Sequence, residues 1–123
     1  MEEKNFLNSV RIAFFGIKSA FKKERNFRIQ FLIAAIVIIL MIFLELNSIE
    51  KSILLLTILV VLSLELINSQ IEKFLDLIQP EIRPKIKTIK DLSAGAVLFS
   101  VIGSIVIGFL IFFPYIINLI ERK

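Results

Sequence analysis

The chemistry this sequence can perform is concentrated between Leu64 and Asp76, a stretch containing Glu65, Asn68, Ser69, Glu72 and Asp76. On a helix turning about 100° per residue, Glu72 and Asp76 each lie roughly 20° from Glu65 around the axis, Ser69 about 40° and Asn68 about 60°. The carboxylates, the amide and the hydroxyl therefore share one stripe, and Leu66, Ile67, Ile71 and Phe74 cover most of the rest. At about 1.5 Å rise per residue, Glu65 and Glu72 stand about 10.5 Å apart along the axis. That is too far for two acids to share one proton, and it suits two carboxylates with separate jobs at two depths. The stretch directly follows an apolar run, Ile53 to Leu64, suited to lipid. A charge in hydrocarbon costs about 2.5–3.5 kcal/mol on insertion scales, so acids there are candidate functional groups. The plainer reading is the wet end of a membrane helix whose acids pair with neighbouring bases.

Composition limits which chemistry is possible. The chain has 123 residues, room for one domain, and 57% of them are hydrophobic, above the roughly 45–50% of soluble domains. It has no cysteine and no histidine. Disulfides, thiolate nucleophiles, His bases and His- or Cys-ligated zinc are thereby excluded. What remains is carboxylates, Lys, Arg, amides, hydroxyls and hard cations bound through oxygen. The first 30 residues are mixed and charged, without the apolar core and cleavage site of a signal peptide.

The elements that must position the stripe follow from periodicity. Residues 1–28 read as an amphipathic helix, with Phe6, Val10, Ala13, Phe14, Ile17 and Phe21 on one face and Lys4, Arg11, Lys18 and Lys22 on another. This pattern suits a helix lying in the headgroup plane of an anionic leaflet; a packing helix of a soluble bundle is the alternative. A first span runs from about 29 to 46, a second from about 52 to 76, and a third from about 92 to 120. Between the last two, residues 79–90 read as a loop, because Pro80 and Pro84 argue against continuous helix. In the third span Ala96, Ser100, Ser104 and Gly108 recur every fourth position, a stripe that lets helices approach closely. The sequence thus predicts an all-α integral membrane protein, with an N-terminal amphipathic surface helix and three transmembrane helices in a single domain.

Charge predicts the orientation. Of the 15 Lys and Arg, seven lie in residues 1–28 and five in 73–90. The positive-inside rule puts the N-terminus and the 79–90 segment in the cytoplasm and the C-terminus outside. The acidic stripe then faces the compartment that holds ATP and magnesium. The four glycines, Gly16, Gly95, Gly103 and Gly108, make neither a Walker A loop nor a dinucleotide fingerprint. Nothing points to a nucleic-acid partner. Any ATP must be held by Lys, Arg and carboxylate-bound Mg²⁺, which phosphoryl transfer permits.

Three blocks carry a family resemblance: Glu24-Arg25-Asn26-Phe27-Arg28, then Glu65-Leu66-Ile67-Asn68-Ser69-Gln70-Ile71-Glu72, then Lys90-Asp91-Leu92-Ser93-Ala94-Gly95-Ala96-Val97-Leu98. In order and spacing the chain resembles the small bacterial integral-membrane lipid kinases, the prokaryotic diacylglycerol kinase and undecaprenol kinase family, over nearly its whole length. The resemblance implies ATP- and Mg²⁺-dependent phosphorylation of the hydroxyl of a membrane lipid alcohol. It implies that Glu65 is the general base, that Glu24 and Glu72 are the Mg²⁺ ligands, and that Asn68 orients the base or the lipid headgroup. Lys90 and Asp91 would hold the nucleotide, and Arg11 falls close to a basic N-terminal position of the family. It also implies a homotrimer with active sites shared between neighbouring chains, so Glu24 and Glu72 need not meet within one subunit.

The sequence departs from the family at Ile12, where many relatives have tyrosine near the nucleotide. Lys87 stands where one branch has glycine, and Ile29 replaces a polar residue of that branch. Gly16-Ile17, Glu24-Arg25-Asn26 and Ala94-Gly95-Ala96-Val97 resemble the Gram-positive, undecaprenol-preferring branch. Two readings stand beside the kinase: a small proton-coupled transporter using an intramembrane Glu, and a membrane protein with no activity. A transporter would place an isolated acid near mid-span, whereas here the acids step down towards a basic segment.

Overall fold

A computed structural model describes residues 5–78 and 83–122. Its described residues form four helices: α1 (Phe6–Lys23), α2 (Arg25–Phe43), α3 (Ser48–Ile78) and α4 (Pro84–Glu121). The last three are long and apolar enough to cross a membrane. At about 1.5 Å per residue, α2 is about 28 Å long, close to a ~30 Å hydrocarbon layer. The longer α3 and α4 outrun that thickness, so their polar ends must project from it. Large apolar side chains face outward along these helices, as Phe99 does at 81% exposure; lipid is the solvent that tolerates such a surface.

The first expected helix, residues 1–28, is in fact two. Glu24 takes an extended conformation (φ −106°, ψ 109°), α1 stops at Lys23 and α2 starts at Arg25. Neither Gly nor Pro marks this break. It is held instead by Arg28, whose Nη1 donates to the carbonyls of Phe21 (3.1 Å) and Lys22 (2.9 Å), satisfying acceptors that a helix end leaves orphaned. Edge-to-face contacts of Phe21 with Phe27 and Phe31 set the corner between the two helices. Residues 1–4 of the expected helix lie outside the described residues.

The connection between α2 and α3 is capped from both sides. Glu45 adopts a left-handed φ of 56°; its N–H reaches Ile42 O, and Leu46 N–H reaches Met41 O, both at 3.3 Å. This is the Schellman pattern, completed by an apolar contact: Met41 and Leu46 are buried together with Leu54. Asn47 then begins α3 with a capping box. Its Oδ1 accepts from Glu50 N (2.8 Å), and Glu50 Oε1 accepts from Asn47 N (3.2 Å). The cap starts α3 at Ser48, earlier than residue 52.

The expected loop 79–90 is largely helix. Residues 79–82, including Pro80, lie outside the described residues, but α4 begins at Pro84. Proline is well suited to a first helical turn, where its missing N–H costs nothing. Lys87 N bonds Arg83 O at 2.9 Å, and Lys87 pairs with Asp91 at 2.8 Å one turn on. Pro84 therefore marks the start of α4, and the charge-rich segment is its first two turns. Farther along, Pro114 sits inside α4 without ending it.

α3 packs antiparallel on both neighbours. Gln30 of α2 meets Glu65, and Met41 of α2 meets Leu54. Asn68 and Asp76 of α3 meet Ser93 and Lys90 near the start of α4, while Glu50 accepts from the Tyr115 hydroxyl near its end. The α1–α2 corner, the C-terminal half of α3 and the first turns of α4 are thereby gathered at one end of the bundle.

Candidate active site

Among the described residues, the only buried polar side chains are Glu65, Asn68 and Ser69. All three lie within five positions of α3, on the stripe that helical geometry predicts. Buried polar groups must be paired or they destabilise the fold, so their partners define the site. Glu65, only 4% exposed, accepts a hydrogen bond from Gln30 Nε2 of α2 at 3.3 Å. The other amide atom, Gln30 Oε1, is buried without a donor. Asn68, 8% exposed, accepts from Ser93 Oγ of α4 at 2.6 Å and donates through Nδ2 to Glu72 Oε2 at 3.4 Å.

Glu24 approaches from the α1–α2 corner. Its position would let the carboxylate cap α2, yet it makes no cap bond. Instead it takes the Lys73 ammonium of α3 at 2.5 Å. That hydrogen bond, opposed by partial burial and aided by the charge on Lys73 and by Ser69, holds the Glu24 carboxyl below its ordinary value. The structure thus joins Asn68 to Glu72 and ties Glu24 through Lys73 to the same stretch of α3 within a single chain.

The other expected site residues make their contacts outside this group. Lys90 pairs with Asp76 at 2.6 Å, tying the start of α4 to the lower end of the stripe. Asp91 is exposed and pairs with Lys87. Arg11 stands over the Phe15 ring at 5.8 Å on α1. Gln30, Lys73 and Ser93 belong to the site and had no role on sequence grounds. Gln30 carried a usable signal, being the one polar residue between Ile29 and Leu44; a lone polar group at the end of a span tends to face the bundle interior.

Two grooves meet the site. One, of about 350 Å³, runs between α2, α3 and α4 from Gln30 past Ala34, Val37, Val61 and Ser104 to Phe112, and is almost wholly apolar. The other, of about 470 Å³, lies between α1 and α3 and includes Ala13, Gly16, Ile17, Glu24, Ser69 and Lys73. Gln30, the donor to Glu65, lines the apolar groove, and Glu24, Ser69 and Lys73 line the other; such an arrangement can serve one greasy reactant and one soluble one.

The chain is similar to known proteins over most of its length. The profile of a family described as prokaryotic diacylglycerol kinase matches residues 11–112. Over 111 residues the chain is 40% identical to an undecaprenol kinase of Bacillus subtilis (strain 168), covering 90% of this chain and 87% of that protein. Over 116 residues it is 35% identical to a diacylglycerol kinase of a Synechocystis species, covering 94% of this chain and 66% of that longer protein. A diacylglycerol kinase of Haemophilus influenzae is 36% identical over 110 residues, 89% of this chain and 93% of that one.

Proposed function

Because the chain belongs to the prokaryotic diacylglycerol kinase family, and so is a lipid kinase, we propose that it transfers the γ-phosphoryl group of ATP, with Mg²⁺, to the hydroxyl of a membrane lipid alcohol at the cytoplasmic face. The observation that carries this reading is Glu65: a buried carboxylate that accepts a hydrogen bond from Gln30, a residue of the apolar groove. Family membership does not favour the proton-coupled transporter.

In this reading the lipid tail enters along the apolar groove and the hydroxyl stops beside Gln30 and Glu65. Gln30 Oε1, an acceptor without a donor, suits that hydroxyl as it arrives. A primary alcohol is a poor nucleophile, and a carboxylate within hydrogen-bond reach can take its proton as the bond to phosphorus forms. The proton moves from the lipid oxygen to Glu65. The bond between that oxygen and the γ-phosphorus forms as the bond from phosphorus to the β,γ-bridging oxygen breaks, and ADP leaves. Asn68 restrains Glu72 beside the base, and Lys90 stands near enough to the stripe to meet a phosphate.

Glu24 and Glu72 would hold Mg²⁺. Among the described residues no group of three or more acids could hold a metal by itself, and Mg²⁺ typically takes one or two carboxylates together with substrate phosphates. Glu24 already binds a cation, Lys73. When bound, the metal neutralises charge on the transferring phosphates. The remaining features fit the same picture. We place α1 along the membrane surface, with Phe6 and Phe14 exposed towards lipid, the N-terminus inside and the C-terminus outside. A homotrimer is what the family resemblance implies.

For the lipid we favour undecaprenol over diacylglycerol. Around Glu65 and Asn68 the neighbouring side chains of Leu62, Leu66, Ile67 and Ser69 are mostly apolar and offer few donors for ester carbonyls, and each carbonyl desolvated without a partner costs roughly 1–3 kcal/mol. The test is purified protein with Mg²⁺, labelled ATP and both lipids in the same mixed micelles. Label should pass to lipid, with the higher kcat/KM on undecaprenol. Equal values or a preference for diacylglycerol would overturn the choice of lipid, and no label in any lipid alcohol would overturn the kinase.

A further inference from the structure

We infer that Ser93 is a positioning residue of the transfer site, holding Glu72 in place through Asn68. The inference rests on the kinase reading above. A carboxylate only accepts hydrogen bonds, an amide has one accepting and one donating end, and a hydroxyl can do either. Glu72 therefore requires the NH₂ end of Asn68. Its Oδ1 then faces Ser93, which must donate, as the 2.6 Å contact has it. Every hydrogen in this chain points towards Glu72. Asn68 is buried, so without the Ser93 hydroxyl its Oδ1 loses a donor that water cannot readily replace. The amide is then no longer pinned, and the restraint on Glu72 goes with it. Groups that hold metal ligands in this way typically matter on the order of 10- to 100-fold in metal affinity or activity. Ser93 also joins α4 to α3 here, so the register of those two helices is coupled to the placement of a proposed Mg²⁺ ligand.

The test measures Mg²⁺-dependent binding of a non-hydrolysable ATP analogue by calorimetry, alongside lipid phosphorylation. Ser93→Ala should weaken Mg²⁺-dependent binding on the order of 10-fold, raising KM for Mg-ATP with little change in kcat. Ser93→Thr, which keeps the hydroxyl, should remain near wild type, whereas Ser93→Val, of the same shape, should behave like Ser93→Ala. The Thr and Val pair decides the matter even if Ser93→Ala folds poorly. In an Asn68→Ala background, Ser93→Ala should add little, because both act through one contact. Additive losses, equal binding by the Thr and Val variants, or a fall in kcat at unchanged KM would overturn the role of Ser93. If the wild type phosphorylates lipid, those outcomes leave the kinase reading standing; if the wild type neither binds the nucleotide nor phosphorylates lipid, both readings fall.

Discussion

The chain turns between helices at Glu24 and at residues 44–48, and the two junctions are built on opposite terms. At 44–48 each local requirement is met on the spot: a Schellman closure on α2, a capping box on α3, and Met41 and Leu46 packed beneath with Leu54. At Glu24 the residue placed to cap α2 does not do so. Its carboxylate reaches across to Lys73, and Arg28 supplies the hydrogen bonds that stabilise the end of α1. Where side chains satisfy their own helix ends, the junction serves stability. Where a carboxylate is withheld from its cap and tied to a cation of another helix, the local rule is broken in favour of a contact across the bundle.

The difference between the junctions has measurable consequences. Its largest consequence is topological: the two junctions should lie on opposite sides of the membrane. In the cysteine-free background, Ser48→Cys should react with an impermeant thiol reagent added to whole cells, and Thr88→Cys should be spared. The reverse labelling would remove the cytosolic nucleotide site. Next in size is Glu65→Gln, which keeps shape but removes the base. Turnover should fall by roughly 10²- to 10⁴-fold while Mg-ATP binding survives, as measured by initial rates and calorimetry. Glu72→Gln should instead weaken nucleotide binding itself, and equal loss of binding in both variants would end the division of labour between them.

The structural junction predicts smaller effects. Asn47→Ala removes the cap of α3 and should destabilise the protein by about 1 kcal/mol, visible as a lower Tm in detergent, with phosphorylation per folded molecule unchanged. Glu45→Gly relieves a left-handed φ that costs a non-glycine residue roughly 1–2 kcal/mol, partly offset by chain entropy; Tm should rise slightly. Loss of activity in either variant at full folding would give the 44–48 junction a part in the site. The Glu24 junction should also respond to acid. The carboxyl is held below its ordinary value, so the tie to Lys73 is intact at neutral pH and is lost as pH falls through that lowered value.

The spans and the acidic stripe were legible in the sequence because composition and helical period report them directly. Glu65, Asn68 and Ser69 are buried where the period places them. The break at Glu24 was not legible, since it uses neither Gly nor Pro and depends on Arg28 reaching back over α1. In the sequence Pro84 signals a helix break, although proline also starts helices; only the hydrogen bond between Lys87 and Arg83 decides between the two. Lys73 and Ser93 were hidden for another reason. Their roles come from contacts between helices 49 and 25 residues apart in sequence, which no local pattern records.

One paired measurement separates the two junctions: labelled phosphate transfer to lipid, per folded molecule, for Glu24→Gln beside Asn47→Ala. Glu24→Gln should keep nearly all of its thermal stability, because its exposed partner Lys73 makes the pair worth less than about 1 kcal/mol, yet lose most phosphate transfer through weakened Mg-ATP binding. Asn47→Ala should lose stability and keep transfer. If Glu24→Gln transfers phosphate at the wild-type rate, the carboxylate at the α1–α2 junction has no part in the chemistry, and the central claim is contradicted.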